Sequence, residues 1–209
     1  MNNKNFDELV KRYPCLSISI EDVKNACAIL ISSVKADGKI LLCGNGGSSA
    51  DCEHISGELL KGFLLKRPLS QADLEPFSHF ENGVELGKQL QYGICTLPLS
   101  SFSSLYTAFC NDVSPDAVYA QLVMAMGKAM DAIICISTSG NAKNIINAAI
   151  TAKSRGLKVI GLTGESGGAL ASLCDCCIKV PETETFMVQE LHLPVYHCIC
   201  SVLESEFFE

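Results

Sequence analysis

The chain has 209 residues, the size of one large α/β domain. Apolar residues make up 48% of the chain and charged residues only 19%, so the composition predicts a sizeable core and not intrinsic disorder. The formal net charge is −7 and no run of basic residues occurs, which argues against nucleic-acid binding as the main activity. We therefore expect a single folded domain over residues 1–209, with no nucleic-acid partner.

The cysteine pattern and the N-terminus indicate a compartment. Twelve cysteines are scattered through apolar stretches such as Ile40–Cys43 and Ile133–Ile136, a pattern typical of reduced core thiols. The first residues lack the apolar segment of a signal peptide, and no apolar run reaches the roughly 18–20 residues of a membrane span. We expect a cytoplasmic protein with no membrane association.

Short apolar runs alternate with longer amphipathic segments along the chain. The apolar runs predict strands covered on both faces, at residues 39–43, 94–98, 132–136, 158–163 and 177–180. The segments between them predict helices over residues 21–36, 48–63, 116–130, 142–155 and 185–206. This alternation is typical of a three-layer αβα sandwich with a parallel sheet.

Two further segments belong to the predicted domain. An N-terminal helical segment, at about residues 1–37, precedes the first strand. Residues 66–92 interrupt the alternation with Pro68, Pro76 and several glycines, so we interpret them as an insertion with a short helix of its own. A connection of this length is usually functional or disordered, and we expect it near a site or an interface.

Two strand-to-helix loops carry residues suited to bind a phosphate. Gly44–Asp51 is glycine-rich, and Ser137–Asn141 brings three hydroxyls and a glycine to the start of a helix. Either loop could instead be an ordinary turn with one capping hydroxyl. The first loop is neither a Walker A sequence nor a dinucleotide fingerprint, which disfavours a nucleotide-binding module. Because both loops follow strands of one sheet, they predict a shared crevice.

Two pairs of side chains could carry chemistry. His54 and Glu58 lie one turn apart on the helix after the glycine loop, about 40° apart around its axis. They could ligate a metal, transfer protons or form a solvated helix face. Gln189 and His197 lie on the last helix, where Pro194 between them leaves their relative direction open. Taken alone, His197 beside Cys198 and Cys200 is somewhat more typical of a core histidine than of a functional one.

In combination these motifs resemble the sugar isomerase (SIS) domain, and within it the phosphoheptose isomerases. The resemblance covers nearly the whole chain except the insertion. It rests on one series of motifs: Cys43–Ser48, His54, Glu58, Asn111–Asp112, Ser137–Asn141, Gln189–Glu190 and His197. It implies a flavodoxin-like sheet and an enzyme that interconverts sedoheptulose 7-phosphate and glycero-manno-heptose 7-phosphate for bacterial surface polysaccharide.

The resemblance also implies the residues of the site. One zinc ion or similar divalent ion per site would be held by His54, Glu58, Gln189 and His197. The substrate contacts would be Asn45, Gly46, Gly47, Glu58, Asn111, Asp112, Ser137, Thr138, Ser139 and Gln189. Family members are homotetramers with sites at subunit interfaces, so a homotetramer is expected here.

An aldose–ketose conversion moves one proton between C1 and C2 through an enediol and another between the two oxygens. Glu58 is the natural base and His197 the natural acid, although a side chain that binds a metal is a poorer proton carrier. Sequence alone does not divide these two roles. The chain departs from the family pattern at Ala142, where a further phosphate-binding serine is usual, and at Met187, where an arginine is usual.

A non-catalytic SIS protein is the main alternative, either a regulator that senses a phosphosugar or a tetramer that bridges protein partners. Relatives of that kind tend to keep the loops and lose the histidine of the last helix. His197 is present here, which favours an enzyme.

Overall fold

The computed structural model describes residues 4–209. Five strands form one sheet in the order β2-β1-β3-β4-β5, and each pair of neighbours runs parallel. The strands are β1 (Ile40–Cys43), β2 (Thr96–Pro98), β3 (Ala132–Ile136), β4 (Lys158–Thr163) and β5 (Cys176–Lys179). This is the flavodoxin-like strand order, and the predicted parallel sheet is confirmed.

Helices cover both faces of the sheet. In the described residues the α-helices are α1 (Lys4–Arg12), α2 (Ile20–Lys35), α3 (Gly47–Leu60), α4 (Gln71–Leu74), α5 (Gly83–Gln89), α6 (Ser103–Asp112), α7 (Val118–Met126), α8 (Lys143–Ser154) and α9 (Thr185–Phe208). Short 3₁₀ helices occupy 14–19, 75–79, 99–101, 115–117 and 169–173.

The strand side chains explain the three layers. Ile40 and Leu42 of β1 belong to one apolar cluster with residues of α2, α3 and α9, whereas Leu41 and Cys43 belong to a second cluster with α7 and α8. Successive side chains of a strand point to opposite faces, so an uninterrupted apolar strand requires a helical layer on each side. The predicted three-layer sandwich is therefore confirmed.

Several predicted boundaries are wrong, each for a local reason. The helix expected over 48–63 ends at Leu60, because Lys61 is extended and the next backbone N–H groups bind Glu204 of α9. The helix expected over 116–130 is a 3₁₀ turn followed by α7, which ends before Gly127. Helix α6 was not predicted, and none of its residues is buried.

The insertion and the N-terminal segment are helical. Residues 66–92 contain α4, a 3₁₀ turn and α5, and an antiparallel bridge joins Pro68 to Gln91 near the two ends of the segment. At the N-terminus, α1 packs on α9 and α2. All twelve cysteines lie in the described part of the chain and are free thiols. Within residues 4–209, no helix has both the length and the apolar character that crossing a bilayer requires.

Candidate functional site

The glycine loop connects β1 to α3 at the carboxyl edge of the sheet. Gly46 has a φ of +56° and precedes the first residue of α3, and no side chain caps this helix start. The Tyr119 hydroxyl donates to the Gly44 carbonyl at 2.7 Å, which anchors the loop to α7. The predicted alternative of a serine-capped turn therefore does not hold for this loop. Its uncapped helix start suits an anion.

The second loop, Ser137–Asn141, connects β3 to α8. Gly140 has a φ of +67°, and a Cβ there would lie 2.0 Å from the Gly167 carbonyl oxygen, so only glycine fits. Ser137 is buried, whereas Ser139 is exposed and its hydroxyl accepts from the Asn141 N–H at 3.2 Å. Helix α8 also starts without a side-chain cap, at Ala142. Hydroxyls and free N–H groups thus converge at one helix start.

A pair of asparagines joins the two loops. The Asn45 and Asn144 side-chain amides donate to each other, both at 2.9 Å. This contact holds the first turn of α8, which follows the second loop, against the glycine loop, and the shared crevice stays a prediction. Asn144 was missed from the sequence, because a lone polar residue in a first helical turn gives no signal of its own.

A cavity of about 580 Å³ opens beside this asparagine pair. Its volume lies within the usual range for small-molecule sites. Six hydroxyl side chains line it: Ser49, Ser100, Ser103, Tyr106, Thr107 and Tyr119. The Ser100 hydroxyl oxygen is buried with no hydrogen-bond partner in the described residues, so the cavity offers an unused polar group.

Asn111 and Asp112 lie apart from this cavity. They form the last residues of α6, are exposed, and bond to each other at 2.9 Å. The cavity is lined instead by the first half of the same helix, through Ser103 and Thr107. In this chain the predicted substrate role of the pair is therefore not supported by contact with either loop.

The candidate catalytic groups meet along a line where α3 packs on α9. We call it the α3–α9 seam and define it by Gly47, Asp51, His54 and Glu58 of α3 with Gln189, Tyr196 and His197 of α9. His54 Nε2 lies 3.3 Å from Glu58 Oε1 and 3.5 Å from His197 Nε2. The structure therefore brings three of the four predicted metal ligands together.

Burial lowers the pKa of the His197 ring, the nearby His54 lowers it further, and Glu58 opposes both. Its ring stacks at a tilt on Phe63 with centroids 5.6 Å apart and meets the His54 ring edge-on at 5.0 Å. A second cavity, of about 370 Å³, opens between α1 and α9 on the His197 side, where Arg12 lies. His197 is thus half-buried at the rim of a cavity, and the core-histidine alternative is wrong.

Gln189 lies at the other end of the seam. A Cβ on Gly47 would come within 2.7 Å of Gln189 Nε2, so the amide rests directly on the glycine loop. Gln189 and His197 are eight residues apart in a helix that is continuous through Pro194, a rise of about 12 Å. In this conformation Gln189 is placed to contact a substrate bound at the loops.

The seam offers ligand atoms of the kind that a divalent ion binds. In tetrahedral zinc sites the bonds are about 2.0–2.2 Å, so neighbouring ligand atoms lie about 3.4 Å apart. The His54–Glu58 and His54–His197 distances match this spacing, and imidazole and carboxylate are ligands that zinc accepts. Within residues 4–209, however, no group of three or more His, Cys, Asp or Glu side chains stands in an arrangement that could hold a metal ion. The ligand types and these two distances suit zinc, and side chains would have to rotate to bind it.

Two members of the seam were not assigned a role from the sequence. Tyr196 is buried, and its hydroxyl lies 3.0 Å from His54 Nδ1 and 3.2 Å from Asp51 Oδ1. Burial raises the pKa of the Asp51 carboxyl, while the Tyr196 hydroxyl and the His54 ring act to lower it. A tyrosine inside an apolar helix is typical of a core residue, so this contact could not be predicted from the sequence.

Helix α3 separates the seam from the hydroxyl-lined cavity. Ser49, which lines the cavity, lies about 140° around the helix axis from His54, whereas Gly47 lies only about 20° from it. The hydroxyl-lined cavity and the proton-transfer candidates therefore lie on different sides of α3. Gly47 is on the same side as His54. A ligand that reaches both must pass along the seam from Gly47.

Comparisons with known proteins agree with the fold and the motifs. Models described as the SIS domain match residues 99–198 and 15–91. Phosphoheptose isomerase 2 of Campylobacter jejuni is 40% identical over 186 residues, which cover 89% of this chain and 81% of that protein.

Solved structures give the same result. Phosphoheptose isomerase from Neisseria gonorrhoeae is 30% identical with a TM-score of 0.75, over 96% of this chain and 95% of that one. Phosphoheptose isomerase from Francisella tularensis is 26% identical with a TM-score of 0.77, over 97% of this chain and 96% of that one. The chain therefore belongs to the phosphoheptose isomerase family of SIS domain proteins.

Proposed function

We propose that this chain is an aldose–ketose isomerase that converts sedoheptulose 7-phosphate to glycero-manno-heptose 7-phosphate. The observation that carries the proposal is the cluster of His54, Glu58 and His197 on the seam, which begins at the glycine loop, where Gln189 rests on Gly47. The relatives at 30–40% identity are named phosphoheptose isomerases. A non-catalytic SIS protein would not need this cluster.

The length of α3 favours a long sugar phosphate. Gly47 and His54 lie on one face of the helix, about 10 Å apart along its axis. A substrate whose phosphate rests at Ser137, Thr138, Ser139 and the start of α8 must extend along this face to bring C1 and C2 to His54. A seven-carbon chain has that reach, whereas a three-carbon chain does not. Asn45, Gly46 and Gln189 would contact the sugar on the way.

The proton transfers are assigned to Glu58 and His197. Glu58 would take the proton from one of the two carbons and return it to the other, through an enediol. His197, half-buried and with a lowered pKa, suits the transfer between the two oxygens, because a neutral imidazole carries one donor and one acceptor nitrogen. His54 lies between them and holds both in place through its ring contacts.

A zinc ion is proposed for the same place, held by His54, Glu58 and His197, with Gln189 as a fourth ligand after rotation of its side chain. When bound, such an ion polarises a substrate carbonyl and stabilises negative charge on the sugar oxygens. Metal analysis of protein purified without chelator should show near-stoichiometric zinc in the wild type. His54→Ala should abolish it, and equal metal content in both proteins would contradict the assignment.

A homotetramer with sites at subunit interfaces is also proposed. Large apolar side chains are exposed beside the seam, with Leu64 at 69%, Phe186 at 58% and Leu193 at 40% exposure. Exposed apolar groups grouped around a site are typical of an interface. Light scattering on the eluted peak of a sizing column would give the subunit number. Cytoplasmic location and a role in surface polysaccharide synthesis are proposed on the family relationship.

The activity is tested directly with purified protein and a panel of ketose phosphates of three to seven carbons. Product formation is followed by NMR, together with exchange of the C1 or C2 hydrogen in D₂O. The seven-carbon substrate should be converted with the highest kcat/KM, and exchange should accompany turnover. Failure to convert any ketose phosphate would contradict the proposal and favour the non-catalytic alternative.

A further inference from the structure

A relay of three side chains, centred on the buried Tyr196, lies behind the candidate catalytic cluster. Asp51 and His54 stand one turn apart on α3, and the Tyr196 hydroxyl of α9 lies between them, 3.2 Å from Asp51 Oδ1 and 3.0 Å from His54 Nδ1. The tyrosine is 2% exposed, so water does not compete for its hydroxyl. The His54 and Tyr196 rings meet edge-on at 5.4 Å, which fixes the ring plane as well.

The proton count in this relay has one solution when Asp51 is a carboxylate. A carboxylate only accepts, so the single hydroxyl proton of Tyr196 is donated to Asp51 Oδ1. The tyrosine oxygen is then left with lone pairs, and the contact at 3.0 Å requires His54 Nδ1 to carry a proton and donate it. A neutral imidazole has one N–H, so His54 Nε2 keeps its lone pair.

That lone pair faces the candidate site, where the Glu58 carboxylate by itself favours a proton on Nε2, so the relay and Glu58 favour opposite tautomers until a cation lies between them. His54 Nε2 is the atom that lies 3.3 Å from Glu58 Oε1 and 3.5 Å from His197 Nε2. A histidine that binds a metal usually donates its other ring N–H to a carboxylate or a carbonyl, which fixes the tautomer and raises the basicity of the ligating nitrogen. Here a tyrosine stands between the histidine and the carboxylate.

We propose that Tyr196, held by Asp51, is a positioning residue that fixes His54 in its Nδ1-protonated tautomer and so presents the Nε2 lone pair to a divalent ion. The inference rests on the proposed function, because it uses the same metal site. The second Asp51 oxygen is buried with no hydrogen-bond partner among the described residues, and Tyr196 supplies the side-chain hydrogen bond of the first oxygen.

The first test is ¹⁵N NMR of histidine-labelled, metal-free wild-type protein at about pH 8, where an ordinary histidine is neutral. The chemical shifts distinguish a protonated from an unprotonated ring nitrogen. His54 should show a protonated Nδ1 and an unprotonated Nε2. A His54 ring that is protonated on Nε2, or on both nitrogens, would overturn the proposal whether or not any variant folds.

The second test is the variant Tyr196→Phe, which keeps the ring and removes the hydroxyl. The His54 tautomer should shift towards Nε2–H, and zinc affinity should fall about 10–100-fold, the usual cost of losing such a partner. The matched control is Tyr92→Phe, which removes the hydroxyl bond from Tyr92 to Asp73 in the insertion. The control should leave both readouts unchanged, and an unchanged Tyr196→Phe would refute the inference.

The two proposals fail separately. If wild-type protein binds no zinc but His54 shows the expected tautomer, the metal assignment falls and the relay stands as a device that orients His54. If zinc binds and the tautomer is the opposite one, the metal site stands and the relay is wrong. The variant Asp51→Asn gives a further check on the relay. It keeps an oxygen that can accept from Tyr196, so it should lose less zinc affinity than Tyr196→Phe.

Discussion

The two phosphate-type loops and the α3–α9 seam are held in place by different kinds of contact. The loops are held by backbone and amide bonds that they make among themselves, such as Asn45 with Asn144 and Ser139 with Asn141. The seam is held by side-chain rings and leaves one Asp51 oxygen without a hydrogen-bond partner among the described residues. Loops that bind a constant phosphate can be preformed, whereas a site that moves protons needs unused donor and acceptor capacity.

His192 lies on α9 between Gln189 and His197, is fully buried and is not part of the seam. Burial lowers the pKa of its ring to about 4, so it is neutral at physiological pH. A contact with the Thr163 backbone opposes this shift, so His192 belongs to the packing of α9 on β4.

The largest expected effect is on the seam. Glu58→Gln keeps the side-chain shape and removes the proposed base, so kcat should fall about 10²–10⁴-fold. Turnover and hydrogen exchange in D₂O, measured on the same samples, check this. Glu53→Gln, on the same helix, is the matched control and should keep full turnover. Normal turnover in Glu58→Gln would show that the seam is not the active site.

The second prediction concerns the far end of the seam, where Glu204 ties α9 to the chain after α3. It accepts from the Phe63 and Leu64 N–H groups at 2.8 and 2.7 Å and pairs with buried Arg67 at 2.9 Å. Glu204→Gln leaves the arginine charge unpaired, which should lower the free energy of unfolding by about 3–5 kcal/mol. Denaturant titration measures it. Glu85→Gln, which removes an exposed pair, should cost less than about 1 kcal/mol.

The same carboxylate predicts a pH dependence. Burial acts to raise the pKa of Glu204, but the Phe63 and Leu64 N–H groups and Arg67 outweigh it, so the pKa lies below the usual value. The stabilisation is therefore complete above the unfolded-state pKa of about 4.3 and is lost as the pH falls through the folded-state value. Stability curves of wild type and Glu204→Gln should converge on acidification. Parallel curves would contradict the assignment.

A third, smaller effect is expected in the loops. Ser139→Ala should raise KM about tenfold with little change in kcat, because a hydroxyl bond to phosphate is made equally in the ground and transition states. Ser154→Ala, at the other end of α8, removes only a hydroxyl bond to the Thr151 carbonyl and should leave KM unchanged. Equal KM values in wild type and Ser139→Ala would indicate that the loop is an ordinary turn and does not bind the phosphate.

The sheet could be predicted from the sequence because its signal is local. Each strand is apolar on both faces, and the segment Ala132–Ile136 is a strand with the predicted bounds. Helix α6 could not be predicted, since its apolar Leu105 is exposed and Ser103 and Ser104 at its start favour turns. Its Tyr106, Phe109 and Cys110 are only partly buried against the second apolar cluster, so its apolar face is weak.

The site, too, contains one contact that helical spacing predicts and one that only the fold creates. His54 and Glu58 are one turn apart, so helical spacing alone predicts their contact. Tyr196 reaches Asp51 across 145 residues, and only the packing of α9 on α3 brings the two together. Long-range contacts of single side chains depend on the fold, and no local pattern in the sequence encodes them.

The smallest expected effect tests whether the start of α8 is left uncapped. Ala142 is the N-cap residue, its backbone is already in the extended conformation that N-cap residues adopt, and no side chain accepts from the first N–H groups. Ala142→Ser should add that acceptor and raise the free energy of unfolding by about 1 kcal/mol, or about 2–4 °C in Tm. Ala142→Val adds volume without an acceptor and should give no gain. If both variants gain equally, packing and not capping is responsible, and the helix start is not an open anion site. If only the serine gains, the first N–H groups of α8 are unsatisfied in the protein as it stands, which is the state that a phosphate-binding loop requires.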